Sequence, residues 1–263
     1  MTNLQGNWIW YELLTGDADA AADFYASVAG WHPRPAQQPE VDYRFFWSRA
    51  GEDPADGVGG FMAINDEMAQ QGLKPGWLGY LAVEDVDRTV TAITEAGGSV
   101  LMPALDMEGV GRMALVADPQ GAAFYVMRGA SDETSHAFAK HKPKMGHCAW
   151  NELATSDPAA AWGFYGPLFG WSKQGELDMG PMGTYEFIAS DALIGAIMPT
   201  TPDQPATGWT FYFRVPDITA AAEAVRQAGG SVLVEPMEIP GGDFSLVARD
   251  PDGAVFGLVG AKS

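Results

Sequence analysis

The sequence is poor in the residues that carry redox and metal chemistry. Its 263 residues include one cysteine, Cys148, and four histidines. A single cysteine excludes an intrachain disulfide and gives no sign of an oxidising compartment. Basic residues are also scarce, since 15 Lys and Arg stand against 34 Asp and Glu, for a net charge of −19. Because this charge repels phosphates and anionic lipid headgroups, we expect neither nucleic acid nor a membrane surface as a partner.

Long hydrophobic runs are missing as well. No stretch of about 18 apolar residues is found, so the sequence predicts no membrane-spanning helix. The first residues lack the basic patch and apolar stretch of a signal peptide, so we expect a cytoplasmic protein. The composition is 47% hydrophobic and 19% charged. The chain therefore has enough apolar residues for two ordinary cores and does not resemble a disordered polar chain.

The most informative feature of the sequence is an internal repeat. The segment WYELLTGDADAAADFYASVAGW, which starts at Trp10, matches WNELATSDPAAAWGFYGPLFGW, which starts at Trp150. A second block starting at Gly76 matches another block starting at Gly208. The first half is longer between these blocks, and we place the extra eight residues in the Gly-, Asp- and Pro-rich stretch 49–60. Two matched blocks in the same order indicate a duplication.

Each half divides again into two modules of the order βαβββ. The first module begins with an alternating strand, Trp8 to Leu14, followed by a helix that Asp17 caps and Gly30 ends. The second module repeats the plan after Gly76, and the Asp118-Pro119-Gln120-Gly121 segment forms the hairpin turn between its last strands. The third and fourth modules carry the same signals after Trp150 and Gly208.

These modules predict an α+β protein of two similar domains. We predict a first domain over residues 1–130, a linker over residues 131–145 and a second domain over residues 146–263. In each domain two modules would form one curved sheet around a cavity, which is the usual kind of place for a small-molecule ligand. A cavity closed by two modules of one chain needs no second chain, so a monomer and a homodimer are both compatible with the sequence.

The repeated motifs resemble those of the vicinal oxygen chelate superfamily, also called the glyoxalase/bleomycin resistance protein/dioxygenase superfamily. The motifs are the strand leading to Thr15-Gly16-Asp17, the helix that ends with Phe24-Tyr25 and Gly30-Trp31, the Ala96-Gly97-Gly98 turn and the hairpin at Asp118. They recur in the second half, so the resemblance covers nearly the whole chain. The chain looks most like the two-domain glyoxalase-like proteins of bacteria, which implies the fold predicted above.

The resemblance also implies where a metal ion would bind. Metal-dependent members place a His, Gln or Glu on the first strand, a His on the strand of the second module and a Glu on the last strand. The matching residues here are Trp10, Leu78 and Tyr125 in the first half, and Trp150, Thr210 and Gly257 in the second. Five of these are not ordinary metal ligands, and one Thr is a poor site on its own. The histidines are scattered, so we predict no metal ion and no other cofactor.

Strand alternation places a carboxylate and several aromatic rings on the cavity side of each sheet. Glu12 and Glu152 share a face with Trp10 and Trp150. Because a carboxylate on an apolar strand is costly unless it is bonded or solvated, these two are candidates for ligand binding or for general acid/base catalysis. We expect Arg214 to pair with Glu152. The candidate ligand-binding residues are Trp10, Tyr80, Tyr125, Trp150, Thr210, Tyr212 and Arg214.

Some of these residues also have purely structural interpretations. Trp10 and Trp150 could stack on a ligand or could plug the cavities themselves. We interpret Trp77 and Trp209, which alternate with the cavity positions, as core residues facing the helices. Cys148 could line the second cavity, but a small buried residue is the better interpretation because no basic partner is evident near it.

The leading hypothesis is a metal-independent protein of the bleomycin-resistance type that binds a small aromatic or planar molecule in its cavities. A second hypothesis is an enzyme that acts on a small carbonyl compound or epoxide with Glu12 or Glu152 as acid/base. A third is a glyoxalase-type, metal-dependent lyase with unusual ligands. A structural role without a ligand is the remaining alternative.

Overall fold

The computed structural model describes residues 3–36, 42–51, 53–70, 72–202, 204 and 206–263. The first half of the chain forms eight strands and three helices within the described residues. In chain order these are β1 (Trp8–Thr15), α1 (Ala18–Ala29), β2 (His32–Pro35), β3 (Tyr43–Trp47), β4 (Gly57–Ala63), α2 (Asp66–Gln70), β5 (Gly76–Ala82), α3 (Val86–Glu95), β6 (Ser99–Met107), β7 (Gly111–Ala117) and β8 (Ala123–Gly129).

The second half repeats this order, except that its described residues hold no counterpart of α2. Its elements are β9 (Cys148–Thr155), α4 (Pro158–Phe169), β10 (Ser172–Asp178), β11 (Thr184–Ala189), β12 (Leu193–Pro199), β13 (Gly208–Asp217), α5 (Ile218–Gln227), β14 (Ser231–Glu238), β15 (Phe244–Arg249) and β16 (Val255–Ala261). The α+β class and the four βαβββ modules predicted from the repeat are confirmed. Among the described residues no helix has the length and apolar character needed to cross a membrane.

Each half builds one mixed sheet of eight strands. The strand order is β2-β3-β4-β1-β5-β8-β7-β6 in the first half and β10-β11-β12-β9-β13-β16-β15-β14 in the second. In every module the first strand pairs parallel with the fourth, as β1 does with β4, while the remaining pairs are antiparallel hairpins. The duplication seen in the sequence is therefore a duplication of sheet topology.

Capping residues explain where the helices begin and end. The Asp17 carboxylate accepts hydrogen bonds from the backbone N–H groups of Asp19 and Ala20, both at 3.0 Å. Asp157 caps α4 in the same way through Ala160. Gly30 ends α1 with φ of 69°, a left-handed conformation that glycine adopts without strain. These are the residues that the sequence predicted for these positions.

The extra length of the first half is divided between two connections. Phe45 and Gly60 are paired across β3 and β4, and the corresponding pair in the second half, Phe187 and Ala196, is joined by a shorter segment. The insertion predicted in residues 49–60 is therefore right for this loop, although Glu52 lies outside the described residues. It is also incomplete, because α2 lengthens the connection between β4 and β5.

By packing, the described chain forms two compact units, and each unit takes one module from each half. Unit 1 contains Met1–Ile9, Gly79–Ser135 and Asn151–Trp209, whereas unit 2 contains Trp10–Leu78, His136–Trp150 and Thr210–Ser263. The domain boundaries 1–130 and 146–263 follow the sequence repeat rather than this packing, and they stay a prediction.

A buried Trp–Tyr–Asp hydrogen-bond chain recurs in the core of both units. In unit 2 the Tyr25 hydroxyl donates to Asp250 at 3.0 Å and accepts from the Trp77 indole at 2.9 Å. In unit 1 Tyr165 donates to Asp118 at 3.1 Å and accepts from Trp209 at 3.2 Å. The predicted core role of Trp77 and Trp209 is confirmed, since both indoles are buried against a helix.

Candidate functional site

A row of aromatic rings in unit 2 forms the first aromatic face, defined by Trp10 on β1 and by Tyr43, Phe45 and Trp47 on β3. All four side chains are half-buried. The Trp10 indole N–H donates to the Tyr43 hydroxyl at 3.0 Å, and the Trp10 and Phe45 ring centroids are 5.9 Å apart. Phe45 also contacts the rings of Tyr43 and Trp47, at 5.5 Å and 6.5 Å. The rings therefore make one continuous apolar surface that solvent still reaches.

Glu12 places a buried carboxylate beside this face. Its side chain is 5% exposed and lies on the same side of β1 as Trp10. Glu12 pairs in register with Gly60 on β4. A Cβ added to Gly60 would overlap the Tyr43 ring and hydroxyl, so the Tyr43 side chain lies directly over this glycine. The carboxylate and the phenol are thus held at neighbouring positions by strand register.

Unit 1 contains a second pair of predicted residues, Tyr80 on β5 and Tyr125 on β8. The two residues are directly paired in register, and their rings stack with centroids 4.2 Å apart and planes at 13°. Both side chains are buried. Tyr125 holds the position where the family resemblance implies a metal-binding Glu, and its phenol ring is stacked there against Tyr80.

Glu152 is the other predicted carboxylate, and it lies in unit 1. Its side chain is 6% exposed. It accepts a hydrogen bond from the Tyr185 hydroxyl of β11 at 2.7 Å, a distance typical of a strong bond to a charged acceptor. The Tyr185 ring contacts Phe187 at 5.7 Å. Tyr185 and Phe187 occupy the same sheet positions as Tyr43 and Phe45, so the two halves place a tyrosine and a carboxylate alike.

The remaining predicted residues lie in unit 2, on β9 and β13. Tyr212 is buried with Val247 and Val259, and Trp150 packs against this cluster. Thr210 is buried as well. A Cβ on Gly257 would overlap the Tyr212 ring, which means that the ring fills the space above the second implied Glu position.

Arg214 follows Thr210 and Tyr212 on the same face of β13. Its guanidinium bonds to Asp243 at 2.7 Å, and its side chain is 14% exposed. The predicted Glu152–Arg214 pair stays a prediction.

Cys148 and His147 are buried and chemically quiet. Burial raises the pKa of the Cys148 thiol to about 12, and the thiol donates to the Trp150 carbonyl at 3.2 Å. Burial lowers the pKa of His147 to about 4. Its Nδ1 lies 2.7 Å from the His136 carbonyl and its Nε2 lies 3.1 Å from the Ser48 hydroxyl. The thiol is protonated at neutral pH, which agrees with a small buried residue.

The residues at the implied metal positions do not fit a metal ion. Within the described part of the chain no three His, Cys, Asp or Glu side chains are grouped so that they could hold one. Instead, the Tyr80–Tyr125 stack and the Tyr212 ring over Gly257 take up the space at the implied Glu positions. Stacked phenol rings and an overlaid glycine offer no ordinary donor set.

Sequence reasoning missed four residues of the site: Tyr43, Phe45, Trp47 and Tyr185. The segment Tyr43–Trp47 reads YRFFW, in which every second residue is aromatic, and this alternation was the available signal. A shallow cleft lies elsewhere, in unit 1, and is lined by residues that include Asn3, Val83 and Met127 but by none of the predicted site residues.

Comparison with known proteins assigns the class. The sequence model of the Glyoxalase/Bleomycin resistance protein/Dioxygenase superfamily matches residues 9–126 and again residues 144–258. The chain therefore belongs to this superfamily, with one match in each half.

Particular relatives cover almost the full length. The chain is 33% identical over 270 residues to the protein named "Putative glyoxylase CFP32" of Mycobacterium bovis, with 97% of this chain and 95% of the relative covered. It is 30% identical over 264 residues to the anthracycline biosynthesis protein DauV of Streptomyces sp. strain C5, with 95% and 91% covered.

Solved structures share the fold at low sequence identity. The Mn(II)-bound glyoxalase of Novosphingobium aromaticivorans superimposes with a TM-score of 0.65 at 16% identity, covering 100% of this chain and 84% of that one. The 2,2',3-trihydroxybiphenyl 1,2-dioxygenase of Sphingomonas wittichii RW1 gives a TM-score of 0.68 at 13% identity, covering 98% and 91%. At these identities the likeness concerns the fold alone.

Proposed function

We propose that this protein binds a small planar aromatic molecule and does so without a metal ion. The observation that carries the proposal is the first aromatic face, in which four half-buried rings contact one another. The buried Glu12 carboxylate lies on the same side of the sheet. Aromatic rings that stay partly exposed offer broad apolar contact to a ligand ring, and each such pair contributes about 0.5–1.5 kcal/mol beyond area burial.

The carboxylate supplies polarity to an otherwise apolar surface. A ligand hydroxyl or cationic group could reach Glu12 while its ring lies on Trp10 and Phe45. The relatives support a planar ligand, because DauV is named for anthracycline biosynthesis and anthracyclines are built on fused planar rings. The aromatic rings at the implied metal positions support binding without a metal ion.

A fluorescence titration tests this proposal. An anthracycline is added to the protein and the quenching of tryptophan emission is followed to saturation. We expect Trp10→Ala to weaken binding at least tenfold, because it removes a ring that contacts both Tyr43 and Phe45, and Glu12→Gln to weaken it severalfold. Trp162→Phe is the matched control, since Trp162 bonds to Glu186 and lies outside the face. Equal affinity in all variants would contradict the proposal.

A second candidate function, acid/base catalysis without metal, is favoured by one observation. The buried Glu152 carboxylate accepts a hydrogen bond of 2.7 Å from the Tyr185 hydroxyl. In such a pair the Glu152 carboxylate could take a proton from the substrate carbon next to a carbonyl group. The Tyr185 hydroxyl would meanwhile donate a hydrogen bond to the carbonyl oxygen. Turnover of a small carbonyl compound that survives a chelator and is lost in Glu152→Gln would support catalysis. Turnover that depends on added metal would contradict it.

A further inference from the structure

We infer that the second half carries a separate binding face, specific for a planar ring that bears a neutral hydrogen-bond-accepting oxygen. This Arg214 face is defined by Trp150, Tyr212 and Arg214, all in unit 2. The inference rests on the proposed function for ring binding and adds to it a second ligand chemistry that the first half does not share.

The apolar part of the Arg214 face is already assembled. The Tyr212 ring lies over Gly257 and is buried with Val247 and Val259. Trp150 packs against this cluster but stays half-buried. A flat ligand ring placed at the exposed side of Trp150 would bury the remaining indole surface.

The polar part is the Arg214 guanidinium. It has five N–H donors in a rigid plane, and one nitrogen bonds to Asp243 at 2.7 Å. The buried Nε–H has no hydrogen-bond partner among the described residues. A buried donor without a partner is unfavourable and is rare in native structures, so it indicates a partner that arrives with a ligand. Because Nε has no contact with solvent, ligand entry requires a side-chain movement at the face.

The charge of the face sets the type of oxygen. Asp243 already balances the guanidinium, in an ion pair whose Arg214 and Asp243 side chains are 14% and 34% exposed. A strongly anionic ligand would compete with this carboxylate, whereas a neutral ketone or phenol oxygen accepts a spare N–H without disturbing the pair. The face therefore favours a neutral oxygen substituent.

The first half serves as an internal comparison. The aligned blocks starting at Gly76 and Gly208 place Ala82 at the position of Arg214, and the repeat places Gly111 at the position of Asp243. Both members of the ion pair are therefore missing together from the first half. The two halves of the chain therefore differ in the arginine that would recognise a ligand oxygen.

The test uses two probes of the same ring size, 9-fluorenone and fluorene, which differ by one ketone oxygen. The full-length protein is labelled with 5-fluorotryptophan, and the ¹⁹F resonances of Trp150 and Trp10 are assigned with Trp150→Phe and Trp10→Phe. We expect fluorenone to shift the Trp150 resonance saturably, with an affinity at least tenfold above that of fluorene. Arg214→Met should reduce this preference to within twofold.

A matched control and a second variant keep the result interpretable. Arg226→Met removes an exposed arginine, paired with Glu235 in the same unit, and should leave the preference unchanged. Arg214→Lys keeps the charge with fewer donors and should lower the preference even if Arg214→Met fails to fold. A preference that persists in Arg214→Lys and Arg214→Met, or equal affinities in the unmodified protein, would overturn the inference.

The two resonances separate the two proposals. A Trp10 shift without a Trp150 shift would overturn this inference and leave the proposed function standing. A Trp150 shift without a Trp10 shift would support the inference and count against the first aromatic face. If neither resonance moves with either probe, both proposals are wrong.

Discussion

Glycine makes room for tyrosine rings at two places in the fold. Gly60 lies under Tyr43, and Gly257 lies under Tyr212. Because an added Cβ would overlap the ring in each case, the absence of a side chain on one strand positions the aromatic side chain on its neighbour. Each of these rings is therefore positioned by a glycine on the neighbouring strand. Substitution of the glycine alters the aromatic face even though no aromatic residue is replaced.

Gly257→Ala should destabilise the protein by about 1–3 kcal/mol, because the new methyl group displaces the buried Tyr212 ring. The free energy of unfolding is measured by urea denaturation. Gly163→Ala is the control, because its added Cβ would meet no described atom within 4 Å outside its chain neighbours and its own helix backbone. Alanine at this helical position should leave stability unchanged or raise it by about 0.5–1 kcal/mol. Similar effects of the two substitutions would contradict this explanation.

His147 should make stability fall with acid. In the fold its pKa is lowered to about 4 by burial, whereas the unfolded value is 6.5. Between pH 6.5 and 4 the unfolded chain binds the proton more readily, so stability is full above pH 6.5 and is lost as pH falls, by about 1.4 kcal/mol per pH unit. Burial raises the pKa of Asp118 and Asp250 above the unfolded value of 3.8. These two carboxyl groups therefore lower stability as the pH rises above 3.8, opposite to the effect of His147.

The His147 contribution is isolated by comparing the protein with His147→Gln at pH 7, 5.5 and 4.5. The stability difference between the two should shrink as the pH falls. A stability difference that is constant over this pH range would mean that the pKa of His147 is the same in the folded and unfolded states.

At the scale of elements, the first helix of each half is fixed by a tyrosine that reaches a hairpin turn of the other half. Tyr25 of α1 bonds to Asp250, and Tyr165 of α4 bonds to Asp118. Each aspartate also accepts backbone N–H groups of its own turn, such as that of Ala254 or Ala122. The hairpin motif recognised in the sequence is thus also a docking point for a helix.

Tyr25→Phe should cost about 1–3 kcal/mol, because it removes a fully buried hydroxyl that serves both Trp77 and Asp250. Tyr165→Phe should cost a similar amount. Ser27→Ala on the same helix removes only a partly buried bond to the Phe24 carbonyl and should change stability by less than about 0.5 kcal/mol. Denaturation curves for the three variants check this order, and an equal effect of Ser27→Ala would refute it.

The sequence predicts the elements better than the site because caps and periodicity are local signals. Asp17 and Gly30 bound α1 as expected, and the strand before them, β1, forms at Trp8–Thr15 as expected. The sequence alone does not indicate the position of the edge strand β2, because its residues HPRP include two prolines and show no apolar alternation. Trp10 and Glu12 follow from alternation on one strand, whereas the Tyr43 contact depends on which strands are neighbours, and that is set by the sheet order.

The halves that repeat in the sequence are not the compact units 1 and 2 that form by packing. The repeat divides the chain near residue 140, but each compact unit combines one module of each half. In unit 2 the Trp77 ring packs 4.9 Å from Phe213, and the Tyr25 ring packs 5.3 Å from Phe256. A half of the chain on its own would leave such aromatic surfaces uncovered.

A chain ending at Ser135 should therefore not fold as a stable monomer. We expect it to aggregate, or to pair with a second copy, because the partners of Tyr25 and Trp77 in the second half are missing. Size-exclusion chromatography with light scattering and thermal unfolding by circular dichroism measure this. A monomer with a cooperative transition would contradict the expectation. The same chromatography decides between monomer and homodimer for the full chain, which stays a prediction.

Aromatic rings lie at positions where the superfamily resemblance implies metal ligands, and we propose that ligand binding depends on these rings. Equilibrium dialysis of an anthracycline against the full-length protein, with a chelator or with added Mn(II), tests this dependence. We expect the same dissociation constant under both conditions and at least tenfold weaker binding in Trp10→Ala. Binding that disappears with the chelator and returns with Mn(II) would contradict this expectation.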